Sequence, residues 1–229
     1  MKTIGVLGGL GPQATMDFEA RIHRVSQQRI PQHANTGYPP MIVYYCRHAP
    51  ILLDDDGSPY HPLRPDPRLL DAAKQLGQLV DVLVITSNTP HLFEAEIAQA
   101  AGRPLLNMID LTLQEVQRRR WRRVGVLGLH DPVFYTRPLV QLGIGVEVLN
   151  KDERAPLDAA IIALMEGRSG PEATVVARQA LQTLRDRAVD GIILGCTEIP
   201  LLLNEEANAP DLIDPLQLLT DAALEYALA

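Results

Sequence analysis

The side chains able to move protons gather in two short segments, each directly after an apolar run. Cys196 stands between Gly195 and Thr197-Glu198 at the end of the run Gly191–Leu194, and Ser87-Asn88-Thr89 follows the run Val82–Ile85. A thiol at a helix start has its pKa lowered by free backbone N–H groups and the helix dipole, which predicts a Cys196 thiolate near neutral pH. The plainer reading is a small buried hydrophobe, the usual fate of a free cysteine. Cys46, in the run Val43–Cys46, reads as a core strand residue. The hydroxyls, amide and N–H groups of Ser87, Asn88 and Thr89 suit a carboxylate held at a helix start. The same residue types are ordinary N-caps, and both readings hold together. His91 lies close enough in sequence to be a candidate proton relay or to orient a base, or to be an ordinary, partly exposed histidine.

Gly8-Gly9-Leu10-Gly11-Pro12 follows the first apolar run. Only a G-x-G-x-x-A version of the dinucleotide fingerprint survives there, with Pro12 directly after the second glycine of the pattern and no acidic residue closing Met41–Tyr45. A tight turn that brings N–H groups to a small anion fits better. Arg118–Arg123, arginine but for Trp121, complements a helix C-terminus and reads as a solvated face. The histidines and carboxylates show no metal-ligand spacing.

These residues need a scaffold. A length of 229 residues suits one large α/β unit or two lobes, given typical domains of ~100–150 residues. With 46% apolar and 21% charged residues a sizeable core can form, and with 4% aromatics it must be built from Leu, Ile, Val and Ala. A net charge of −7 argues against nucleic acid or a membrane surface as the main partner. Two cysteines cannot staple a scaffold, and no apolar run approaches the ~20 residues that span a bilayer, so a soluble cytoplasmic protein is expected.

Strand-like runs at Thr3–Leu7, Met41–Tyr45, Val82–Thr86, Val124–Leu127, Val146–Leu149 and Gly191–Leu194 alternate with helical patterns. Those patterns cover Thr15–Gln28, Pro67–Leu79, Leu111–Arg119, Ala155–Met165, Pro171–Ala188 and Leu216–Ala227. The alternation predicts an α/β fold with mainly parallel sheets flanked by helices. Pro50–Pro67 reads as a long loop, either a binding segment or a surface excursion.

Self-similarity then doubles the unit. Val80–Pro90 aligns with Val189–Ile199 at an offset of 109, and Ile4–Gly8 with Val124–Gly128 at an offset of 120. The expectation is two pseudo-symmetric lobes, residues 1–112 with 210–229 and residues 113–209, with an active-site cleft between them. Ligands bind beyond the carboxyl ends of such strands, so Ser87 and Cys196 are expected to approach one carbon from opposite sides.

Gly8–Thr15, Ser87–His91 and Gly195–Leu202, in that order, resemble the aspartate/glutamate racemase family. The resemblance implies a cofactor-independent racemase with two α/β lobes, commonly a homodimer. Two cysteines flank the substrate's α-carbon in that family, one removing a proton as thiolate and the other returning one as thiol. It places Cys196 at the second cysteine and Asn88, Thr89 and Thr197 around the substrate carboxylate. Gly9, Leu10 and Gly11 line the same pocket, and Arg47 or Arg168 meets the side-chain carboxylate. Ser87 occupies the first cysteine's position. Some members carry a hydroxyl residue there and favour one enantiomer. Leu129-His130-Asp131-Pro132 also departs from the threonine-containing pattern of the family.

The leading expectation is therefore an aspartate or glutamate racemase that works through Cys196 and Ser87. A decarboxylase resembling these racemases, which keeps only the late cysteine, is the alternative within the superfamily. A small-acid binding protein that lost its chemistry is the alternative outside catalysis.

Overall fold

The computed structural model describes residues 1–34 and 36–229, and the chain divides into two units. The first comprises Met1–Met108 and Leu216–Ala229, the second Ile109–Pro215.

In the first unit β1 (Ile4–Gly8), β2 (Met41–Tyr45), β3 (Val82–Ile85) and β4 (Leu105–Leu106) form a parallel sheet in the order β2-β1-β3-β4. Its helices are α1 (Pro12–Arg29), α2 (Pro67–Gly77), α3 (Glu94–Ala101) and α9 (Pro215–Leu228), whose first residue lies just across the division. α4 (Met108–Arg118) starts at the division and runs into the second unit. There β5 (Arg123–Leu127), β6 (Gly145–Val148), β7 (Gly191–Leu194) and β8 (Leu212–Ile213) form a parallel sheet ordered β6-β5-β7-β8. Its further helices are α5 (Val133–Gln141), α6 (Lys151–Met165), α7 (Pro171–Arg185) and the short α8 (Ile199–Leu203).

The two sheets share more than strand order. Ile4 pairs with Val82 in the first and Val124 with Gly191 in the second, the register that the two sequence offsets together require. β1, β3 and β7 are buried throughout, and β5 from Val124 onward, as continuous apolar runs covered on both faces must be. Burying each such side chain is worth ~1.5–3 kcal/mol, so these strands anchor whatever follows them.

The lobe boundaries need correction. The sequence reading closes the second lobe at residue 209, yet Leu212–Ile213 pairs with Ile192–Ile193 as the edge of the second sheet. A two-residue strand is too short to announce itself by periodicity. α5 was likewise not expected, because Pro138 interrupts its pattern. Pro50–Pro67 is mostly exposed and folds back on itself through the bridges Ile51↔Pro65 and Leu53↔Pro59. It ends where Asp66 caps α2 by accepting Arg68 N–H at 2.8 Å. No described helix is long and apolar enough to cross a membrane.

Candidate functional site

Each sheet changes winding direction at its middle pair of strands, and the segments leaving their carboxyl ends are where such sheets bind ligands. In the first unit those segments are Gly9–Gly11 after β1 and Thr86–Asn88 after β3. In the second they are Gly128–Pro132 after β5 and Gly195–Glu198 after β7. The sequence-predicted residues Gly9, Leu10, Gly11, Ser87, Asn88, Cys196 and Thr197 lie in these four segments, and Thr89 opens the next turn.

A hydroxyl bridge organises the first unit's half. Thr15, on the first turn of α1, accepts the Gly9 N–H at 2.9 Å and lies 2.8 Å from the buried Thr86 Oγ1, so it links the ends of β1 and β3. Gly9 has φ +78°, and a Cβ there would stand 2.8 Å from Tyr45 Cα and the Cys46 carbonyl oxygen. Only glycine makes this turn without strain. No side chain caps α1 at Gly11, and Pro12 at its first position has no N–H. Ser87 is partly exposed, and its hydroxyl has no partner among the described residues.

His91 lies in a short 3₁₀ turn, Thr89–Phe93, and is buried. Its Nε2 donates to the Ile85 carbonyl at 3.2 Å, while Nδ1 is buried and has no partner. Burial holds its pKa down to about 4, so the ring is neutral. It can accept a proton but brings none of its own. Arg47 is exposed after β2, with its guanidinium 4.9 Å from the centre of the Tyr45 ring and no carboxylate partner among the described residues. It borders a cavity of about 310 Å³ shared with Tyr44, His48, Arg68 and Asp71. Cys46 is a core residue as expected, with its thiol pushed up to about 11 by burial.

The second unit's half is drier. Gly195 to Pro200 are all buried, and Glu198, at 1% exposure, is among the most buried charged side chains. Cys196 Sγ donates to Glu198 Oε2 at 3.1 Å, and Thr197 Oγ1 donates to the same oxygen at 3.0 Å. The predicted ready thiolate is overturned here. Burial, then the charge of Glu198 and its hydrogen bond, push the Cys196 thiol well above its ordinary value. The helix that was expected to lower it is α8, five residues long and beginning three residues later. Backbone N–H groups of Glu198 and Leu129 pull in the other direction but are outweighed.

Glu198 is the residue that sequence reasoning passed over. Beside Cys196 it forms a thiol–carboxylate pair, in which the carboxylate can take the thiol proton and return it. Its signal was its position, an acid two residues after a cysteine at the end of a fully apolar strand. Leu129 is a second addition, through its backbone alone. Arg168 is exposed after α6 and ion-paired with Glu166, so its charge is already matched. Among the described residues no group of three His, Cys, Asp or Glu side chains is placed to hold a metal ion.

Comparison with known proteins follows this geometry. The model of the Asp/Glu/hydantoin racemase family matches residues 7–223. The chain is 26% identical over 236 residues to the broad specificity amino-acid racemase RacX of Bacillus subtilis, covering 99% of this chain and 98% of that one. Among solved structures, the Picrophilus torridus aspartate racemase superposes with TM-score 0.79 at 22% identity, covering 99% of this chain and 94% of that one. An aspartate racemase homologue from Pyrococcus horikoshii OT3 gives 0.78 at 23% identity with both chains fully covered. At these identities the two structures establish the shared fold.

Proposed function

We propose that this chain, which belongs to the Asp/Glu/hydantoin racemase family, interconverts the enantiomers of an acidic amino acid, aspartate or glutamate, through Cys196 and Ser87. Its class as an isomerase, a racemase, comes from the family. The substrate and the division of labour are our reading. The observation that carries it is the buried Cys196–Glu198 contact at 3.1 Å.

Cys196 starts as a thiol. As substrate binds, its proton passes to the Glu198 carboxylate, and the thiolate takes the α-proton from one enantiomer. The electron pair of the broken C–H bond moves into the substrate carboxylate, giving an enediolate-like anion. Backbone donors at the opening of α1, with Asn88, Thr89 and Thr197, stabilise that charge, and such preorganised donors are usually the largest single contribution to catalysis. Ser87 delivers a proton to the opposite face and its oxygen is reprotonated from solvent, which its partial exposure permits. As product leaves, Glu198 gives up to solvent the proton it took from Cys196. A free serine hydroxyl is a weak acid, so this face is the slower one. Neutral His91 can assist only as an acceptor, in the reverse direction, when Ser87 must lose its proton. Of the two arginines expected to meet the side-chain carboxylate we assign Arg47, since Glu166 already occupies Arg168. On family grounds we read the chain as a cytoplasmic homodimer that uses no cofactor.

The deciding experiment is α-proton exchange in deuterated water with both enantiomers of aspartate and of glutamate, followed by NMR and chiral chromatography. Exchange with inversion that requires Cys196 is the expected result. No exchange with any of the four removes the acidic-amino-acid reading. A thiol held protonated also suits protonation of a carbanion after loss of carbon dioxide, which is what favours the decarboxylase reading. Carbon dioxide released from a substituted malonate would establish it, and ligand binding without exchange would leave a binding protein.

A further inference from the structure

We infer that the second unit carries a binding site for a small polyanion, of the phosphate-ester or pyrophosphate class, at the end of its sheet opposite Cys196. The place is a cavity of about 240 Å³ lined by Gln117, Arg120, Trp121, Arg122, Leu142 and Ile144. β5 begins at Arg123, β6 at Gly145 and β7 at Gly191, whereas Cys196 comes two residues after the end of β7. In a parallel sheet the cavity therefore lies at the amino ends of the strands.

Only part of the arginine run is paired with carboxylates. Arg118 and Arg119 each meet Glu115 at 2.6 Å, and Arg123 meets Glu147 at 2.7 Å. Arg120 and Arg122, the two that line the cavity, have no side-chain partner among the described residues. Asp190 is the carboxylate closest to them in the hydrogen-bond network. It is taken up by the backbone N–H groups of Arg122 and Arg123, at 2.6 and 2.9 Å, and is not part of the lining. Two free guanidinium forks beside the Gln117 amide, on a chain of net charge −7, make a local anion trap. Guanidinium geometry matches phosphate oxygens in pairs.

The backbone adds a second observation. Arg120 has φ +58° at the end of α4, where Arg120 N bonds Gln117 O at 2.9 Å and Trp121 N bonds Val116 O at 3.2 Å. This closing turn sets where the Arg120 side chain leaves the end of α4. Trp121 meanwhile covers the start of β7, where a Cβ at Gly191 would overlap the indole. The volume admits a phosphate group with a small organic part.

Trp121 is the chain's one tryptophan, so the site reports on itself. Fluorescence of the full chain would be titrated with sodium pyrophosphate at constant ionic strength. Sodium chloride and sodium acetate serve as controls, and a single-stranded oligonucleotide as a separate arm. A saturable change with pyrophosphate is expected. Arg120→Gly and Arg122→Gln should each weaken it about tenfold, the loss of one charge-assisted contact, while Arg118→Gln retains it. Arg120→Gly relieves the positive φ, so its loss of binding cannot be ascribed to misfolding. The inference fails if chloride reproduces the signal, if both cavity variants bind like the parent, or if only the oligonucleotide binds. The readout involves no turnover, so its failure leaves the proposed racemase untouched.

Discussion

The two sheets have one strand order and one register, yet the segments at their carboxyl ends are chemically unlike. The first unit presents a hydroxyl bridge, Thr15–Thr86, and a partly exposed Ser87 with no partner among the described residues. The second presents a thiol and a hydroxyl that both donate to one carboxylate oxygen, all three groups buried. A wet, weakly acidic group and a dry, strongly perturbed one have diverged on the same frame. The difference teaches that the scaffold fixes where a group stands, while burial and neighbours decide what it can do.

The strongest way to break the contrast is Cys196→Ala. Racemisation and α-proton exchange should fall by at least about 10³-fold with the fold retained, measured by NMR in deuterated water and circular dichroism. Exchange that persists would move the chemistry away from the second unit. Glu198→Gln keeps the shape and removes the charge, and turnover should fall about 10²-fold. With the anion gone, the Cys196 pKa should move down, though burial, its largest cause, still holds it above an ordinary thiol. The rate of alkylation by iodoacetamide against pH reads this directly, and an unmoved midpoint would refute the pairing.

Ser87→Cys sharpens the comparison from the other side. It supplies a better acid to the first unit, and we expect turnover to rise roughly tenfold while the rates from the two enantiomers converge. Ser87→Ala should retain exchange from one enantiomer and lose inversion. Equal loss from both would mean that the serine only shapes the pocket.

The last expected effect is on stability rather than turnover. His91 has a folded pKa of about 4 against 6.5 ordinarily, so the unfolded chain binds a proton that the folded one refuses across this window. Its contribution is complete above the ordinary value and is lost as pH falls toward 4, about 3 kcal/mol in all. His91→Phe should flatten that part of the melting-temperature curve. An unchanged slope would place the acid sensitivity elsewhere.

Much of this was legible in the residues, for identifiable reasons. Buried parallel strands leave unbroken apolar runs, so Val82–Ile85 and Gly191–Leu194 could be found, and aligning them carried the register with it. Gly9 and Cys196 were legible because a strand end followed by a small or reactive residue is where α/β sheets do chemistry. β4 and β8 were not, since two residues carry no period, and α5 was masked by Pro138. The state of Cys196 was missed for a deeper reason. Sequence alone does not say which way the Glu198 carboxylate faces, and the packing around it turns that group inward to meet the thiol.

The first unit is assembled from both ends of the described chain, with Lys2 N bonded to Ala227 O at 2.9 Å, whereas the second is a single uninterrupted stretch. On a ribosome the second unit can therefore close its core as soon as β8 emerges, while the first still waits for its last helix. The half with the buried thiol is finished before the half that began first.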